Sequence, residues 1–128
     1  MVLGTSAAAL VTSVGGDLTL RSCAAAGITD SGTVTVGGNL IATTDDNDGV
    51  IDMGTLAVTG TITLVTHGNG AATVINDIGL TFAASTVGGA LTATATLGNI
   101  TQGSGDLDIT GVAKFIAGAT GSHIIIDG

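Results

Sequence analysis

A single-stranded parallel β-helix is the fold this sequence predicts, and three observations predict it. A block of about 22 residues repeats along the chain, short apolar–polar alternations fill each block, and surface helix formers are nearly absent. The blocks begin at Gly15-Gly16, Gly37-Gly38, Thr59-Gly60, Gly88-Gly89 and Thr110-Gly111, at steps of 22, 22, 29 and 22 residues. A period of that size marks stacked supersecondary units. Runs such as Thr33-Val34-Thr35-Val36 and Thr61-Ile62-Thr63-Leu64 have the period of two expected of half-buried strands. The 128 residues include 22 Gly and 22 Thr, no Pro and no Glu, and only 9% are charged, a composition that disfavours helix.

The elements follow in order along one domain, with residues 1–14 as a partial first coil and residues 15–128 as the repeats. Met1-Val2-Leu3-Gly4 lacks the basic stretch of a secretion signal, so Ala7-Ala8-Ala9-Leu10-Val11 reads as part of that coil. In the first complete block the apolar residues fall into three clusters, Leu18 with Leu20, then Ile28, then Val34 with Val36. Three strands per turn is the expectation. The clusters recur as Leu40 with Ala42, Val50 with Ile51, and Leu56 with Val58. The third block carries about seven surplus residues, placed within Asn69–Ser85 and expected to be pushed outward as a loop. The fourth resumes the pattern with Leu91 and Ala93, Ile100, and Leu107 and Ile109, and the fifth runs to Ile124-Ile125-Ile126 without a clear cap. Glycine pairs at the block starts suit corners, where the chain turns sharply. Equivalent strands pair one coil apart at about 4.8 Å, so five coils make a rod roughly 25 Å long.

Composition excludes several classes. A β-sandwich is the runner-up, but it fills the gap between its sheets with large rings, and the aromatic residues here are Phe82 and Phe115. The core is expected to be narrow and built from small or branched aliphatics. Mean hydropathy is +0.67, yet Ala7–Val11 and Ile124–Ile126 fall far short of the ~18 apolar residues of a membrane span. Ten Asp against Arg21 and Lys114 give a net charge of −8, which repels phosphate backbones and anionic lipid, so neither nucleic acid nor a membrane is an expected partner. The one cysteine, Cys23, cannot form an internal disulfide.

Few residues invite chemistry. Enzymes on this fold use Asp clusters with Arg or Lys, and Arg21 and Lys114 lie about four coils, roughly 19 Å, apart. Cys23, Asp45 and His67 recur at one phase, which stacks a thiol, an acid and a base in a column, but two coils, roughly 10 Å, separate thiol from imidazole. His123 falls at another phase and reads as a solvated loop residue. Thr44-Asp45-Asp46-Asn47-Asp48-Gly49 matches part of a calcium loop, but Thr44 stands where its first Asp belongs and Thr55 where its bidentate Glu belongs. That loop reads as a solvated turn, with the Asp45 to Gly49 segment as the one calcium candidate. Asp30 and Asp52 share a phase and are expected to splay apart or share a cation. Gly68-Asn69-Gly70 and Gly103-Ser104-Gly105 lack the Lys-Ser/Thr of a phosphate loop and read as turns. The outward Thr61–Thr63 pair is not repeated in the other blocks, so no ice-binding ladder forms. No catalytic residue, cofactor site or metal site is assigned, and the chain is not expected to be an enzyme.

The units Val36-Gly37-Gly38-Asn39-Leu40, Leu97-Gly98-Asn99-Ile100-Thr101-Gln102 and Leu107-Asp108-Ile109-Thr110-Gly111 resemble the degenerate repeats of filamentous-haemagglutinin-like exoproteins and related bacterial β-strand-repeat surface proteins. The resemblance spans most of Gly15–Gly128 and rests on order and spacing. It implies a right-handed β-helix shaft from a large secreted or cell-surface bacterial protein, serving adhesion, aggregation or biofilm and filament formation, with this chain as a segment of the shaft. The expected partners are neighbouring repeats of a larger chain or other copies joined end to end, because an open coil end exposes unpaired strand edges. The alternative is a glycan- or calcium-binding module whose partners are host or surface glycans.

Overall fold

Alternation sets the strands. Leu18–Ser22, Thr61–His67 and Leu91–Ala95 each bury every second residue, because successive side chains of an extended chain point to opposite faces. The computed structural model describes residues 7–9 and 12–127, so most of the expected partial coil at 1–14 lies outside the described residues. Within them the chain forms sixteen strands and no helix.

The chain shuttles between two sheets. β1 (Ala7–Ala9) and β2 (Thr12–Val14) lie in the first sheet and β3 (Leu18–Ser22) in the second. β4 (Ile28–Asp30) and β5 (Val34–Val36) return to the first, and β6 (Leu40–Asn47) to the second. One long strand serves each sheet in the next turn, β7 (Ile51–Val58) and β8 (Thr61–His67). β9 (Ala72–Asn76) is then followed by β10 (Leu80–Phe82) and β11 (Ser85–Val87), and β12 (Leu91–Ala95) by β13 (Ile100–Gln102) and β14 (Leu107–Ile109). β15 (Ala113–Ala117) and β16 (Ile124–Ile125) begin a further turn. All pairings are parallel and join strands one turn apart, as in Leu18–Leu40–Ile62 and Leu91–Ala113. The fold is a β-solenoid of about five coils of roughly 22 residues.

The inward residues form one continuous core between the sheets. Leu20, Leu40, Ile62, Leu64, Ile28, Val74 and Leu91 are completely buried. The core is as narrow as the shortage of aromatics requires: Phe82 is the largest fully buried side chain, and its ring meets Phe115 edge to face at 6.3 Å and 77°.

The surplus of the third block is not an outward loop. Asn69–Ser85 contains β9 and β10 and the start of β11, all within the sheets. A two-sheet solenoid has two corners, and the glycine motif changes from one to the other. At the corner leading from the first sheet to the second, the Gly38 N–H donates to Gly16 O and the Gly60 N–H to Gly38 O, both at 3.0 Å. At the opposite corner the Gly89 N–H donates to Gly70 O at 2.9 Å and the Gly111 N–H to Gly89 O at 3.0 Å. From Thr59-Gly60, twenty residues complete the turn, as Thr61 opposite Thr81 shows, and nine more reach Gly88-Gly89 at the other corner. Both corners need glycine for the same reason: a Cβ on Gly60 would lie 2.5 Å from Gly38 O, and one on Gly111 would lie 2.6 Å from Gly89 C.

This switch moves the later blocks to a different column. Leu91 stacks on Ala72, Ile51 and Ile28, not in the Leu18–Leu40 column to which block alignment assigns it. It also moves the break within each turn. Before the switch the first sheet is split, and straight β7 pairs with both β4 and β5; after it the second sheet is split, and straight β8 pairs with both β10 and β11. The three-strand expectation therefore holds for most turns, but the strands lie in two sheets rather than three.

Candidate functional site

The residues singled out for chemistry meet at the end of β3 and β6. Register places Arg21 opposite Thr43 and Ser22 opposite Thr44, which brings Cys23 beside Asp45 on the surface. The Arg21 guanidinium grips the Asp45 carboxylate with both Nε and Nη2, the latter 2.9 Å from Oδ1. The Cys23 Sγ lies 3.7 Å from Asp45 Oδ2. Hydrogen bonding and charge from Arg21 hold the Asp45 carboxyl below the ordinary carboxylate range, against partial desolvation, with smaller help from Cys23 and His67. Arg21 is held correspondingly more basic, first by its hydrogen bond to Asp45 and then by its charge.

His67 does not complete a triad. Its Nδ1 lies 2.7 Å from the Thr44 carbonyl oxygen, which can only accept, so Nδ1 carries the proton and donates. The column expected from repeat phase exists between Cys23 and Asp45, while the imidazole is committed one coil further on to backbone. A carboxylate neutralised by a bidentate arginine is a poor base. Lys114 lies on β15 in the first sheet and Arg21 on β3 in the second, so the two cations occupy different faces as well as different ends.

The Thr44–Gly49 turn uses its oxygens to close the coil. Thr44 is fully buried, and its Oγ1 donates to Gly49 O at 2.9 Å. Asp48 adopts a left-handed conformation at φ 67°, and its Oδ1 accepts the Asn69 N–H at 2.6 Å. The Asp46 and Asn47 side chains lie outside the described residues, and among those described no three His, Cys or Asp groups converge on a metal position. Asp30 and Asp52 do not stack: Asp52 faces Thr29, one residue out of phase, and the Asp30 carboxylate accepts the N–H groups of Gly54 and Thr55 at 3.1 and 2.8 Å. His123 is exposed, and its N–H donates to Asn99 Oδ1 at 2.9 Å.

The polar groups that sequence reasoning missed are interior ones. Ser22, Thr44 and Thr66 are buried at steps of 22 residues, a spacing visible in the sequence but hidden among 22 threonines. Thr66 Oγ1 donates to Gly70 O at 2.6 Å and accepts the Gly88 N–H at 3.0 Å, joining adjacent coils. Ser85 Oγ accepts the Leu64 N–H at 3.1 Å. Asn76 sits in the otherwise apolar column Val34–Leu56–Asn76–Ala95, with no sequence signal for its role. Its Oδ1 accepts the Val58 N–H at 2.8 Å, and its Nδ2 donates to Val58 O at 3.0 Å and Gly79 O at 2.7 Å. Outside, Asp17 Oδ1 accepts the Asn39 N–H, and Asn39 Oδ1 accepts from Thr61, so each corner side chain ties its coil to the next.

The last coil has a different character. Val112, Ile116, Ile124, Ile125 and Ile126 are all exposed, and an open cleft of about 390 Å³ is lined by Gln102, Asp106, Leu107 and Ile126.

Comparison with known proteins agrees with the repeat pattern. No curated protein and no solved structure matches the chain. A family model described as repeats of unknown function (DUF5649) matches residues 68–127, just under half of the chain. The match starts at Gly68, in the corner on which Gly88 and Gly89 stack, where the second glycine phase begins. The chain is a repeat protein with a β-solenoid fold, and the matched repeats are those after the phase switch.

Proposed function

We propose that this chain is a non-catalytic structural shaft of a secreted or cell-surface bacterial protein, contributing rod length and rigidity to adhesion, aggregation or filament formation. The observation that supports this reading most is where its polar side chains go. Asp17, Asp30, Asn39, Asp48, Thr66, Asn76, Ser85 and Asn99 all bond to backbone in an adjacent coil. Groups that a catalytic or binding site would aim at a ligand are here committed to holding coils in register. The extracellular setting comes from the repeat resemblance alone.

A glycan- or calcium-binding module, using the long third block or the Asp45–Gly49 turn, is the competing reading, and in that turn the Asp45 and Asp48 carboxylates already have partners. Thermal unfolding in a calcium titration, and then with a panel of surface glycans, tests the choice. The shaft reading predicts an unchanged midpoint throughout. A saturable rise, the sign of a ligand bound only by the native state, would replace it with the module.

A further inference from the structure

We propose that the outer face of the first sheet binds the same face of a second copy of this chain, side by side and with the two coil axes antiparallel. The inference rests on the structural-shaft reading and adds the surface, the partner and the orientation.

One outward column crosses the first sheet from β7 to β15. Asp52 stands opposite Thr73, Thr73 opposite Thr92, and Thr92 opposite Lys114, on four consecutive rungs. Their sequence neighbours on β7, β9 and β12 are buried and Phe115 packs against the core, so alternation turns these four side chains to the outside. Asp52 and Lys114 are the charged residues of the four strands, which makes this face neutral in a chain of net charge −8. Two copies can approach here without the repulsion that their net charge imposes elsewhere. Three rungs, about 14 Å, separate the acid from the base, too far for them to pair within one chain.

Such a column is complementary to itself turned over. When two first sheets face each other with antiparallel axes, β7 of one copy lies over β15 of the other, and β9 over β12. Asp52 then meets Lys114 of the second copy, Lys114 meets its Asp52, and Thr73 meets its Thr92. Packed sheets lie about 10 Å apart, a gap that the four-carbon stem of lysine and an aspartate span together. Parallel axes would set each rung against itself, and the two charges would never meet.

Shape follows the same rotation. The next outward column runs from the bulge of β7, where Gly54 and Thr55 stand opposite Ile75, through Thr94 to Ile116. Ile116 is 38% exposed, and nothing lies within 4 Å of where a Cβ on Gly54 would stand. Turning the second copy over brings its Ile116 onto that bulge, where the missing side chain leaves room for it. Four rungs by five residues make a patch of about 19 Å by 17 Å. That is less than half of the roughly 800 Å² per partner of a standard interface, so half-association is expected on the order of 0.1–1 mM. Antiparallel rods are what two facing surfaces present to each other, and many weak contacts add up between them, which fits aggregation among the roles of a shaft.

Sedimentation equilibrium of the 128-residue chain over a concentration series spanning that range tests this. The expected result is a monomer and dimer in equilibrium with nothing larger, because an isologous contact closes on one partner. Asp52→Lys or Lys114→Asp alone sets like charges together at both ends of the contact and is expected to weaken dimerisation tenfold or more. The two changes in one chain restore opposite charges and are expected to restore the dimer. Carbodiimide coupling reads the orientation: Lys114 is the one lysine of the chain, and its amine should form an amide with Asp52 of the second copy, the reagent taking up the water released. At dilutions where the parent is monomeric, all variants should keep its far-ultraviolet circular dichroism and thermal midpoint, which separates lost association from lost folding. A chain monomeric throughout, a series that grows past dimer, dimerisation indifferent to the single changes, or a charge exchange that fails to restore it would overturn the inference. The shaft reading survives those results and fails instead on a saturable calcium or glycan response.

Discussion

Replacing Asn76 by leucine sets two forces against each other at one site. Its column is otherwise apolar, with Leu56 on one side and Ala95 on the other, so alternation alone favours the substitution. Full burial of a leucine side chain is worth about 1.5–3 kcal/mol relative to leaving it exposed, and part of that applies here. The amide, however, satisfies the Val58 N–H, Val58 O and Gly79 O. Leaving a buried polar group unpaired costs about 1–3 kcal/mol, so the two buried Val58 groups, with a smaller share from the half-buried Gly79 O, cost about 3–4 kcal/mol. The hydrogen bonds win by about 2 kcal/mol, a large share of a typical domain's 5–15 kcal/mol. Asn76→Leu is expected to lower the thermal midpoint by about 5–10 °C, and Asn76→Ala, which adds a cavity, by more. Equilibrium urea unfolding followed by circular dichroism reads both. A leucine variant as stable as the parent or more so would mean that apolar phase, rather than the amide ties, governs the column.

Gly60→Ala forces a methyl to within 2.5 Å of Gly38 O and is expected to cost about 1–3 kcal/mol by the same urea assay, whereas Gly54→Ala, with open space around the new Cβ, is not. Asp45→Asn removes the Arg21 pair, whose side chains are 56% and 25% exposed, so solvent screening keeps the change at neutral pH small. Because the folded-state pKa of Asp45 is lowered, its contribution is present above the ordinary carboxylate range and is lost as pH falls through the lowered value. The thermal midpoints of parent and Asp45→Asn should therefore converge in acid, and a gap that widens there would contradict the ion pair.

The coil period, the strand state and the narrow core were legible because each leaves a repeating mark. Glycine pairs recur, Leu18-Thr19-Leu20 alternates, and rings are scarce. The phase switch was not legible, since a glycine pair marks a corner without saying which of two corners it marks. Twenty-nine residues therefore read as a long block, when they are one turn and nearly half of another. Among the candidate site residues, phase brought Cys23 to Asp45 correctly, yet it could not foresee Arg21 reaching across to the same carboxylate or His67 turning to the Thr44 carbonyl. Those depend on rotamers rather than on position in the repeat. Asn76 was hidden for the opposite reason: it occupies an apolar phase and acts through backbone groups that no side-chain pattern records.

Amide hydrogen exchange across residues 69–87 tests the solenoid and its phase switch most directly. In this account β9 lies between β7 and β12, and β10 between β8 and β13, so the amides of Val74, Ile75 and Phe82 sit inside continuous sheets. They should exchange as slowly as those of Leu64 and Ala93, through opening of the whole core. Rapid exchange confined to this stretch, with slow exchange on both sides, would mean that the surplus residues leave the stack as a loop and that the glycine motif never changes corners.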